Sequence, residues 1–415
     1  MKSQVKFPEL AEKGKLKIEW ASEHMPVLKL VAERFKKEKP LAGMNVAMAL
    51  HVEPKTCVLA MTLRDGGANV AITGCNPLTT QDDAAAGLAN EEGISVCCWR
   101  GQTSEEYYCN LENVLEFKPN ITVDDGCDLV SLVHTKRTDL LPSIIGGAEE
   151  TTTGINRLRV MEKEGVLKYP MMDVNDAYTK YLFDNRYGTG QSTIDGILSA
   201  TNLILAGKNF VVGGYGWCGK GIAMRAKGMG CKVIVTEVDE IRALEAHMDG
   251  FRVMSLKEAA KIGDIFVSAT GNKHVIRGEH MKLMRSGALL ANSGHFDNEI
   301  EKGYLEKGKK RHIRGNIEEF TVNGKKLYLL ADGRLVNLVA GQGHPAEIMD
   351  LSFANQALAA EFLVKNKGKL EPKVYSMPEE IDRGIAKLKL KSLGIEIDSL
   401  TQEQKAYMNE WREGT

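Results

Sequence analysis

The 415-residue sequence has little net charge and no long apolar run. Lys and Arg total 54 against 55 Asp and Glu, so charge gives no reason to expect nucleic acid or an anionic membrane as a partner. No segment reaches the roughly eighteen consecutive apolar residues of a membrane-spanning helix, and Met1 to Trp20 lacks the apolar stretch of a signal peptide. We therefore expect a cytoplasmic protein with a small-molecule ligand.

The eight cysteines also lack the spacing of a metal site. They are scattered through apolar or glycine-rich stretches, apart from the adjacent Cys97 and Cys98. We expect buried free thiols and no metal.

What the first half does contain is an alternation of short apolar runs with helical patterns. The predicted strands are Asn45 to Leu50, Asn69 to Thr73, Ile94 to Trp99 and Ile121 to Val123. Such alternation is typical of α/β proteins, in which helices cover both faces of a doubly wound parallel sheet.

A second series of the same kind follows the polar, aromatic stretch Asn175 to Gly190, which we interpret as a domain boundary. Its predicted strands are Phe210 to Val212, Lys232 to Thr236, Ile265 to Ala269 and Ala288 to Ala291. Beyond Gly341, the helical pattern of Pro345 to Asn366 is interpreted as a return to the first domain, and the lysine-rich segment from Lys373 onward as a helical tail that packs between subunits.

A glycine-rich loop opens the second series. In NFVVGGYGWCGKG, Gly214, Gly216 and Gly219 have G-x-G-x-x-G spacing directly after a strand, and Glu237 ends the following strand. This context predicts a Rossmann site: glycines that let pyrophosphate approach a helix N-terminus, and a carboxylate for the adenosine ribose, which favours NAD over NADP. The alternative is a tight strand-to-helix turn without a ligand. We assign residues 1–184 to a substrate domain, 185–340 to an NAD domain, 341–372 to the return and 373–415 to an oligomerisation tail.

Polar segments outside this loop resemble the S-adenosylhomocysteine hydrolase family. The matching segments are TTQDDAAA, DDGCDL, EETTTG, NDAYTKYLFDNRYG, GYGWCGKG, GHFDNEI and GRLVNL, in the family's order and over nearly the whole chain. The sequence is most similar to the short archaeal and thermophilic-bacterial branch, including S-inosyl-L-homocysteine hydrolases. The resemblance implies one tightly bound NAD per subunit and a homotetramer.

The chemistry of this family explains the need for NAD. Water cannot readily displace homocysteine thiolate from an unactivated C5′, but oxidation at C3′ acidifies the C4′ proton, whose removal expels the thiolate; water then adds and the ketone is reduced again. The resemblance assigns the reaction to His51, Asp125, Glu150, Lys180, Asp184, Asn185 and His295. Lys180 must be partly neutral to accept a proton, which burial beside another cation or away from carboxylates would favour. Alternatively, Lys180 and Asp184 are a solvated ion pair four residues apart, and the histidines and Asp125 are structural.

The remaining site assignments concern cofactor and base. By resemblance, the cofactor residues are Thr151, Thr152, Thr153, Asn185, Asn272, Asn337 and His344, together with the glycines and Glu237. The substrate residues are Glu53, Lys55, Thr56, Glu150, Lys180, Asp184 and His344. A helix N-cap is the alternative for the threonines, and a Gly-Pro loop for Asn337 and His344.

One segment departs from the family pattern His-x-Thr-x-Glu-Thr, because this chain has His51, Val52, Glu53, Pro54, Lys55 and Thr56. Hypoxanthine presents an acceptor at O6 and a donor at N1, which suit a lysine and a glutamate, whereas adenine presents the reverse. We therefore expect S-inosyl-L-homocysteine as the preferred substrate, with S-adenosyl-L-homocysteine as the alternative. The alternative for this changed segment is that Glu53 and Lys55 simply pair with each other.

Two other functions are to be considered: a net NAD dehydrogenase and a non-catalytic NAD-binding regulator.

Overall fold

The computed structural model describes residues 2–412 and 414 of the chain and contains two α/β units, each built on a central sheet. The first unit supplies β1 (Asn45–Ala49), β2 (Asn69–Thr73), β3 (Ile94–Val96), β4 (Ile121–Asp124), β5 (Gly146–Glu149) and β6 (Met171–Asp173). Its helices are α1 (Ala11–Glu23), α2 (Pro26–Glu38), α3 (Pro54–Asp65), α4 (Asp82–Ala89), α5 (Ser104–Leu115), α6 (Asp128–Thr135), α7 (Thr152–Lys163) and the short α8 (Tyr178–Lys180).

A π-helical stretch, Tyr181–Gly188, and α9 (Thr189–Thr201) lead into the second unit. Its strands are β7 (Asn209–Gly213), β8 (Lys232–Thr236), β9 (Arg252–Val253), β10 (Ile265–Ser268), β11 (Ala288–Asn292), β12 (Lys309–Arg314), β13 (Ile317–Val322) and β14 (Lys325–Leu330). Its helices are α10 (Trp217–Gly228), α11 (Glu240–Met248), α12 (Leu256–Ala260), α13 (Gly278–Leu283), α14 (Lys302–Leu305) and α15 (Val336–Val339). The C-terminal part forms α16 (Ala346–Lys365), β15 (Val374–Ser376), α17 (Glu379–Ser392) and α18 (Gln402–Met408).

Local sequence explains these elements. The central strands are continuous apolar runs, such as NVAMA in β1, because helices cover the parallel sheet on both faces. Thr103 and Glu106 form a reciprocal capping box that starts α5. Helix α16 carries alanines and other buried residues on most of its surface, as expected of a helix packed on several sides.

Both sheets reverse their strand order at one point. The first has the order β15-β6-β5-β4-β1-β2-β3 with every pairing parallel, so the chain switches direction between β1 and β4. The second has the order β12-β13-β14-β11-β10-β7-β8-β9 and switches between β7 and β10. Ligands of open α/β sheets bind at the carboxyl ends of strands at such points.

The predicted α/β class is confirmed, with one correction to the second sheet. That sheet is mixed rather than wholly parallel, because β12 and β13 pair antiparallel, as do β13 and β14. Strand β12, with the sequence KKRHIR, is exposed along its length and lacks the apolar run by which a strand is predicted.

The predicted tail also needs correction over part of its length. Strand β15 pairs with β6 at the edge of the first sheet, and α17 packs its buried Ile385 against Val27 and Leu351 of the same chain. Residues 374–392 therefore pack within the first unit of the same chain, and the segment after Leu393 is more exposed.

The cysteines are free thiols as expected, but not all are buried: Cys109 is exposed and Cys218 is half-buried. Among the described residues, no helix is long and apolar enough to cross a bilayer.

Candidate active site

A large cavity lies where the carboxyl ends of the two sheets meet. Its volume of about 1000 Å³ is at the upper end of the range for small-molecule sites, about 300–1,000 Å³, and leaves room for a dinucleotide beside a substrate. The residues predicted from the sequence line this cavity, except Lys55 and Gly219. Residues as far apart as His51 and His344 thus meet at one place.

The glycine loop connects β7 to α10, at the switch point of the second sheet. Gly214 has φ +97°, and a Cβ there would lie 2.8 Å from Thr270 Cγ2. A Cβ on Gly219 would overlap the carbonyl oxygen of Gly214, whereas the nearest atom to a Cβ on Gly216 is Arg242 Nη1 at 3.8 Å. Gly214 and Gly219 therefore shape the turn, and Gly216 keeps its cavity side open for a phosphate at the N-terminus of α10.

Glu237 follows β8 and holds the same loop. Its carboxylate accepts the backbone N–H of Tyr215 (2.6 Å), of Val238 (2.7 Å) and of Asp239 (3.2 Å). A carboxylate has about four lone-pair positions, so acceptor capacity remains for ribose hydroxyls. This arrangement fits the adenosine half of NAD.

The inner end of the cavity offers groups suited to an amide ligand. Asn337 donates through Nδ2 to His344 Nε2 (3.1 Å) and to Ser192 Oγ (3.3 Å), while its buried Oδ1 has no partner among the described residues. A buried acceptor without a partner is costly unless a ligand satisfies it. The residues therefore fit NAD at both ends, with Asn337 free to accept a hydrogen bond from the ligand.

Lys180 lies at the centre of a buried polar cluster. Its ammonium is 2.8 Å from Asn185 Oδ1, 3.1 Å from Asp184 Oδ2 and 3.6 Å from Glu150 Oε1. Lys180 is the last residue of α8, and Asp184 and Asn185 lie in the π-helical stretch that follows. Short π-helical stretches of this kind are frequent at functional sites. The alternative of a solvated ion pair is wrong, because Lys180 is only 3% exposed.

The surroundings of Lys180 do not favour the partly neutral form that acceptance of a proton requires. Burial disfavours the ammonium, but Asp184 and Glu150 outweigh burial and raise the pKa of Lys180 above its ordinary value. Burial also opposes ionisation of Asp184, yet His344 and Lys180 hold the pKa of that carboxyl below its ordinary range. His344 Nδ1 and Asp184 Oδ1 are in direct hydrogen-bond contact. With these two carboxylates as neighbours, Lys180 is therefore protonated and can act as a proton donor.

Glu150 is fixed by two residues that the sequence analysis missed. Gln356 Nε2 donates to Glu150 Oε2 (2.6 Å), and the Ser352 hydroxyl donates to Oε1. Ser352 and Gln356 are four residues apart on α16, so they share one face of that helix. Polar residues at this spacing in an otherwise apolar helix were a signal for a buried polar partner. Burial raises the pKa of Glu150, against the attraction of Lys180.

A second cluster centres on Asp125, immediately after β4 at the switch point of the first sheet. Asp125 Oδ2 lies 3.5 Å from His51 Nε2, and its Oδ1 lies 3.5 Å from His295 Nδ1. His295 comes from the second unit, after β11, so the cluster spans both domains. Burial lowers the pKa of His51 to about 4 despite the attraction of Asp125, so this imidazole is neutral at pH 7 and can accept a proton. Thr79 Oγ1 is 2.8 Å from His51 Nδ1 and fixes the ring.

The residues assigned to base recognition lie at the start of α3. Glu53 and Lys55 form an ion pair, and Lys55 Nζ donates to the carbonyl of Gln342 (3.0 Å). Glu53 lines the cavity, while the Thr56 hydroxyl donates to the carbonyl of His51 (2.6 Å). Glu53 thus faces the cavity, whereas Lys55 does not line it and pairs with Glu53, as the alternative to a base contact by Lys55 predicts.

The threonines after β5 sit at the start of α7. Thr152 Oγ1 donates to Asn175 Oδ1 (3.1 Å), and this amide oxygen also accepts from Asn185 Nδ2 (3.1 Å). Thr151 occupies the N-cap position but makes no side-chain cap bond. Asn175, inside the NDAY segment, therefore links α7 to the Lys180 cluster, a role that sequence reasoning did not assign.

Asp382 on α17 caps α8 from about 200 residues away in the sequence. Its carboxylate accepts the N–H of Tyr178 (2.6 Å) and of Thr179 (2.9 Å), whereas Ala177 at the N-cap offers no side-chain cap.

In Asp382→Asn we expect the free energy of unfolding to fall by about 1–2 kcal/mol, and kcat to fall more than KM rises, because Lys180 ends this helix. Urea denaturation and steady-state kinetics measure both. Glu380→Gln, an exposed change on the same helix α17, is the control, and equal stability of the two variants would contradict the role.

The fold and the site together define the class of this protein. It has a dinucleotide loop and two buried acid-base clusters on two α/β domains, which are the features of an NAD-binding enzyme with a separate substrate domain. The family model of S-adenosyl-L-homocysteine hydrolase matches residues 2–140, and that of its NAD-binding domain matches residues 185–343. The chain belongs to the S-adenosyl-L-homocysteine hydrolase family, with NAD as cofactor.

Similar curated proteins cover the full length. S-inosyl-L-homocysteine hydrolase of Methanocaldococcus jannaschii is 63% identical over 99% of this chain and 100% of that protein. The protein of the same name from Methanococcus maripaludis is 59% identical, and adenosylhomocysteinase of Saccharolobus solfataricus is 60% identical, each over 100% of both chains. Overall identity therefore does not separate the two substrate types.

Proposed function

We propose that the protein reversibly hydrolyses an S-nucleosyl-L-homocysteine to a nucleoside and L-homocysteine, with S-inosyl-L-homocysteine preferred. The observation that carries the proposal is the meeting of the Lys180 cluster, the Asp125 cluster and the Gly214 loop in one cavity. Bound NAD would supply transient oxidation of the ribose at C3′. The loop that begins at Gly214, together with Glu237, Asn272 and Asn337, would hold this NAD. Thr151 to Thr153 would contact it where the two domains meet.

At the ribose, Glu150 and Asp184 accept hydrogen bonds from the hydroxyl groups, and Lys180 handles the proton of the 3′-hydroxyl. In the free enzyme the two carboxylates stabilise the Lys180 ammonium. Substrate hydroxyls that share these carboxylates weaken that stabilisation, so substrate binding itself helps Lys180 to release its proton. Asn185 keeps the lysine in place through its 2.8 Å contact.

At C4′ and C5′, the Asp125 cluster moves protons and orients water. His51 is neutral because of burial and so can take a proton, while Asp125 between the two rings stabilises the imidazolium that results. His295 comes from the NAD domain, so the cluster is complete only when the domains are close together. Closure of the domains over the bound substrate would complete the cluster and exclude bulk water from the reacting carbons.

A first test separates the hydrolase from a net dehydrogenase. With either thioether, we expect release of homocysteine without accumulation of free NADH, because the ketone is reduced again before products leave. Thiol titration and nicotinamide absorbance in the same sample measure both. NADH formed in proportion to the substrate consumed would contradict the proposal, and binding of NAD without homocysteine release would favour the regulator.

The base preference rests on Glu53. Its carboxylate can accept the N1 proton of hypoxanthine, whereas adenine N1 is itself an acceptor and would leave a buried acceptor pair unsatisfied. A mispaired buried group costs about 1–3 kcal/mol, so we expect kcat/KM to favour the inosyl thioether by roughly tenfold to a hundredfold. Direct comparison of kcat/KM for the two thioethers tests this.

A variant tests the same point. Lys55→Gln removes the cation that orients Glu53, so we expect the inosyl preference to fall by about tenfold while turnover of the adenosyl thioether is retained. Lys17→Gln, which removes a lysine paired with Asp83 at 2.8 Å elsewhere in the same domain, is the control. An adenosyl preference in the wild-type protein, or an unchanged ratio in Lys55→Gln, would contradict the assignment.

We also propose a cytoplasmic homotetramer that uses the end of the chain as a contact. The segment after Leu393 exposes Ile397, Tyr407, Met408 and Trp411, the last to 84%. Exposed apolar side chains in one segment favour a subunit contact. Analytical ultracentrifugation of the full chain and of a chain ending at Leu393 would test this contact. The same number of subunits per particle in both samples would contradict it.

A further inference from the structure

One buried thiol beside the Asp125 cluster has no part in the proposed reaction. Cys75 follows β2, which neighbours β1 in the first sheet, and is 6% exposed. Its Sγ lies 3.3 Å from His51 Nδ1 and 3.7 Å from Asp125 Oδ2. The sequence analysis expected no metal from cysteine spacing, but spacing along the chain cannot reveal a histidine and an aspartate brought in by neighbouring strands.

The two distances from Cys75 Sγ, 3.3 Å to His51 Nδ1 and 3.7 Å to Asp125 Oδ2, match the edges of a metal tetrahedron, whereas the 3.5 Å between His51 and Asp125 is measured from the other ring nitrogen, Nε2. Zinc bonds of about 2.0–2.3 Å in a tetrahedral site place neighbouring ligand atoms about 3.3–3.8 Å apart. One ligand atom from each of His51, Cys75 and Asp125 lies within 4.8 Å of the other two. Small side-chain movements would therefore bring all three onto one ion.

We propose that His51, Cys75 and Asp125 form an inhibitory binding site for a thiophilic divalent cation of the zinc class. A sulfur, nitrogen and oxygen ligand set suits Zn²⁺ or Co²⁺ and disfavours Mg²⁺ and Ca²⁺, which prefer oxygen alone. The fourth position is left for water or for His295, whose Nδ1 is 3.5 Å from Asp125 Oδ1.

The protonation states are compatible with this site. His51 is neutral, since burial lowers its pKa to about 4, and its lone pair is available. Burial raises the pKa of the Cys75 thiol above its ordinary value, so the ion must displace the thiol proton, with one S–H bond broken, one metal–sulfur bond formed and one proton released. No oxidant or reductant is involved.

Inhibition follows from the roles of the other two ligands. An ion bound to His51 and Asp125 removes both from proton transfer at C4′ and C5′. The predicted inhibition thus rests on the proposed hydrolase function, whereas binding of the ion does not. Inhibition of turnover and binding of the ion are therefore measured separately.

The test uses the NAD-loaded protein and Co²⁺ as a spectroscopic probe. We expect one equivalent of Co²⁺ to give a thiolate-to-metal charge-transfer band with strong visible absorption of a tetrahedral site, and Zn²⁺ to displace it. Zn²⁺ should also inhibit turnover, and Mg²⁺ in large excess should not. In Cys75→Ser we expect Zn²⁺ affinity and inhibition to weaken by at least about tenfold, while activity without metal stays unchanged.

Cys218→Ser is the matched control, because Cys218 is another thiol at the cavity and touches neither His51 nor Asp125 in the described contacts. X-ray absorption of the wild-type zinc complex provides a count of bound sulfur that does not depend on how a variant folds, and one sulfur is expected. No bound sulfur, a thiolate band that survives in Cys75→Ser, or loss of inhibition in Cys218→Ser would overturn the site. Cobalt binding through Cys75 in a protein without hydrolase activity would refute the proposed function and leave the site intact.

Discussion

In Lys180→Met, turnover is expected to fall by about 10²- to 10⁴-fold, the range for loss of a positioned general acid or base. The methionine fills much the same volume but cannot carry the proton of the 3′-hydroxyl. It also leaves Glu150 and Asp184 without the ammonium that lies 3.6 and 3.1 Å away. We expect the protein to retain NAD, because the Gly214 loop is untouched. Steady-state kinetics and nicotinamide content of the purified variant measure the two effects.

The pair Lys365 and Glu361 provides the control for this variant. It has the same spacing of four residues, but Lys365 is 66% exposed at its side chain. Glu361 is buried but keeps its ion pair with Arg34, and an exposed lysine contributes about 0–1 kcal/mol, so Lys365→Met should leave both turnover and stability nearly unchanged. A Lys180 variant that behaves like the Lys365 variant would refute the catalytic assignment, and loss of NAD in Lys180→Met would reassign the residue to cofactor binding.

The sequence predicted the buried strands well. β1, β2, β7 and β8 lie within a residue or so of the predicted ranges, because strands covered on both faces are continuous apolar runs. The strand β5, with sequence GGAE, was missed for the opposite reason. Its Glu149 is fully buried and accepts the N–H of Gly126 (2.8 Å) and of Thr151 (3.0 Å). A charged residue in a central strand breaks the apolar pattern because it anchors two loops of the site.

The candidate site shows a similar division. The resemblance named the residues, and the switch points explain why those after β1 and β4 meet. It could not predict that Glu150 reaches Lys180, or that His295 from the second unit meets Asp125. The first contact depends on how α8 packs beside the end of β5, and the second on how the two domains pack; no local pattern encodes either.

Gly219→Ala is expected to weaken NAD binding by about 10- to 100-fold, because overpacking of a tight turn costs roughly 1–3 kcal/mol. The added Cβ would overlap the carbonyl oxygen of Gly214, so the loop must move where it would hold the pyrophosphate. We expect the protein to be purified with little nicotinamide, and activity to return at high added NAD. Its thermal midpoint should be lower than that of the wild-type protein, since bound NAD stabilises the folded state by mass action.

Gly228, the last residue of α10, separates this steric effect from a general effect of alanine in the helix. No atom lies within 4 Å of a Cβ built there, so Gly228→Ala should keep full NAD content and gain about 0.5–1 kcal/mol from the better helix former. Since the two changes add the same methyl group to the same helix, a difference in bound nicotinamide isolates the contact with Gly214. Equal NAD content in the two variants would mean that the turn at Gly214 does not determine the affinity for NAD. Glu237 and Thr151 to Thr153 would then account for NAD binding instead.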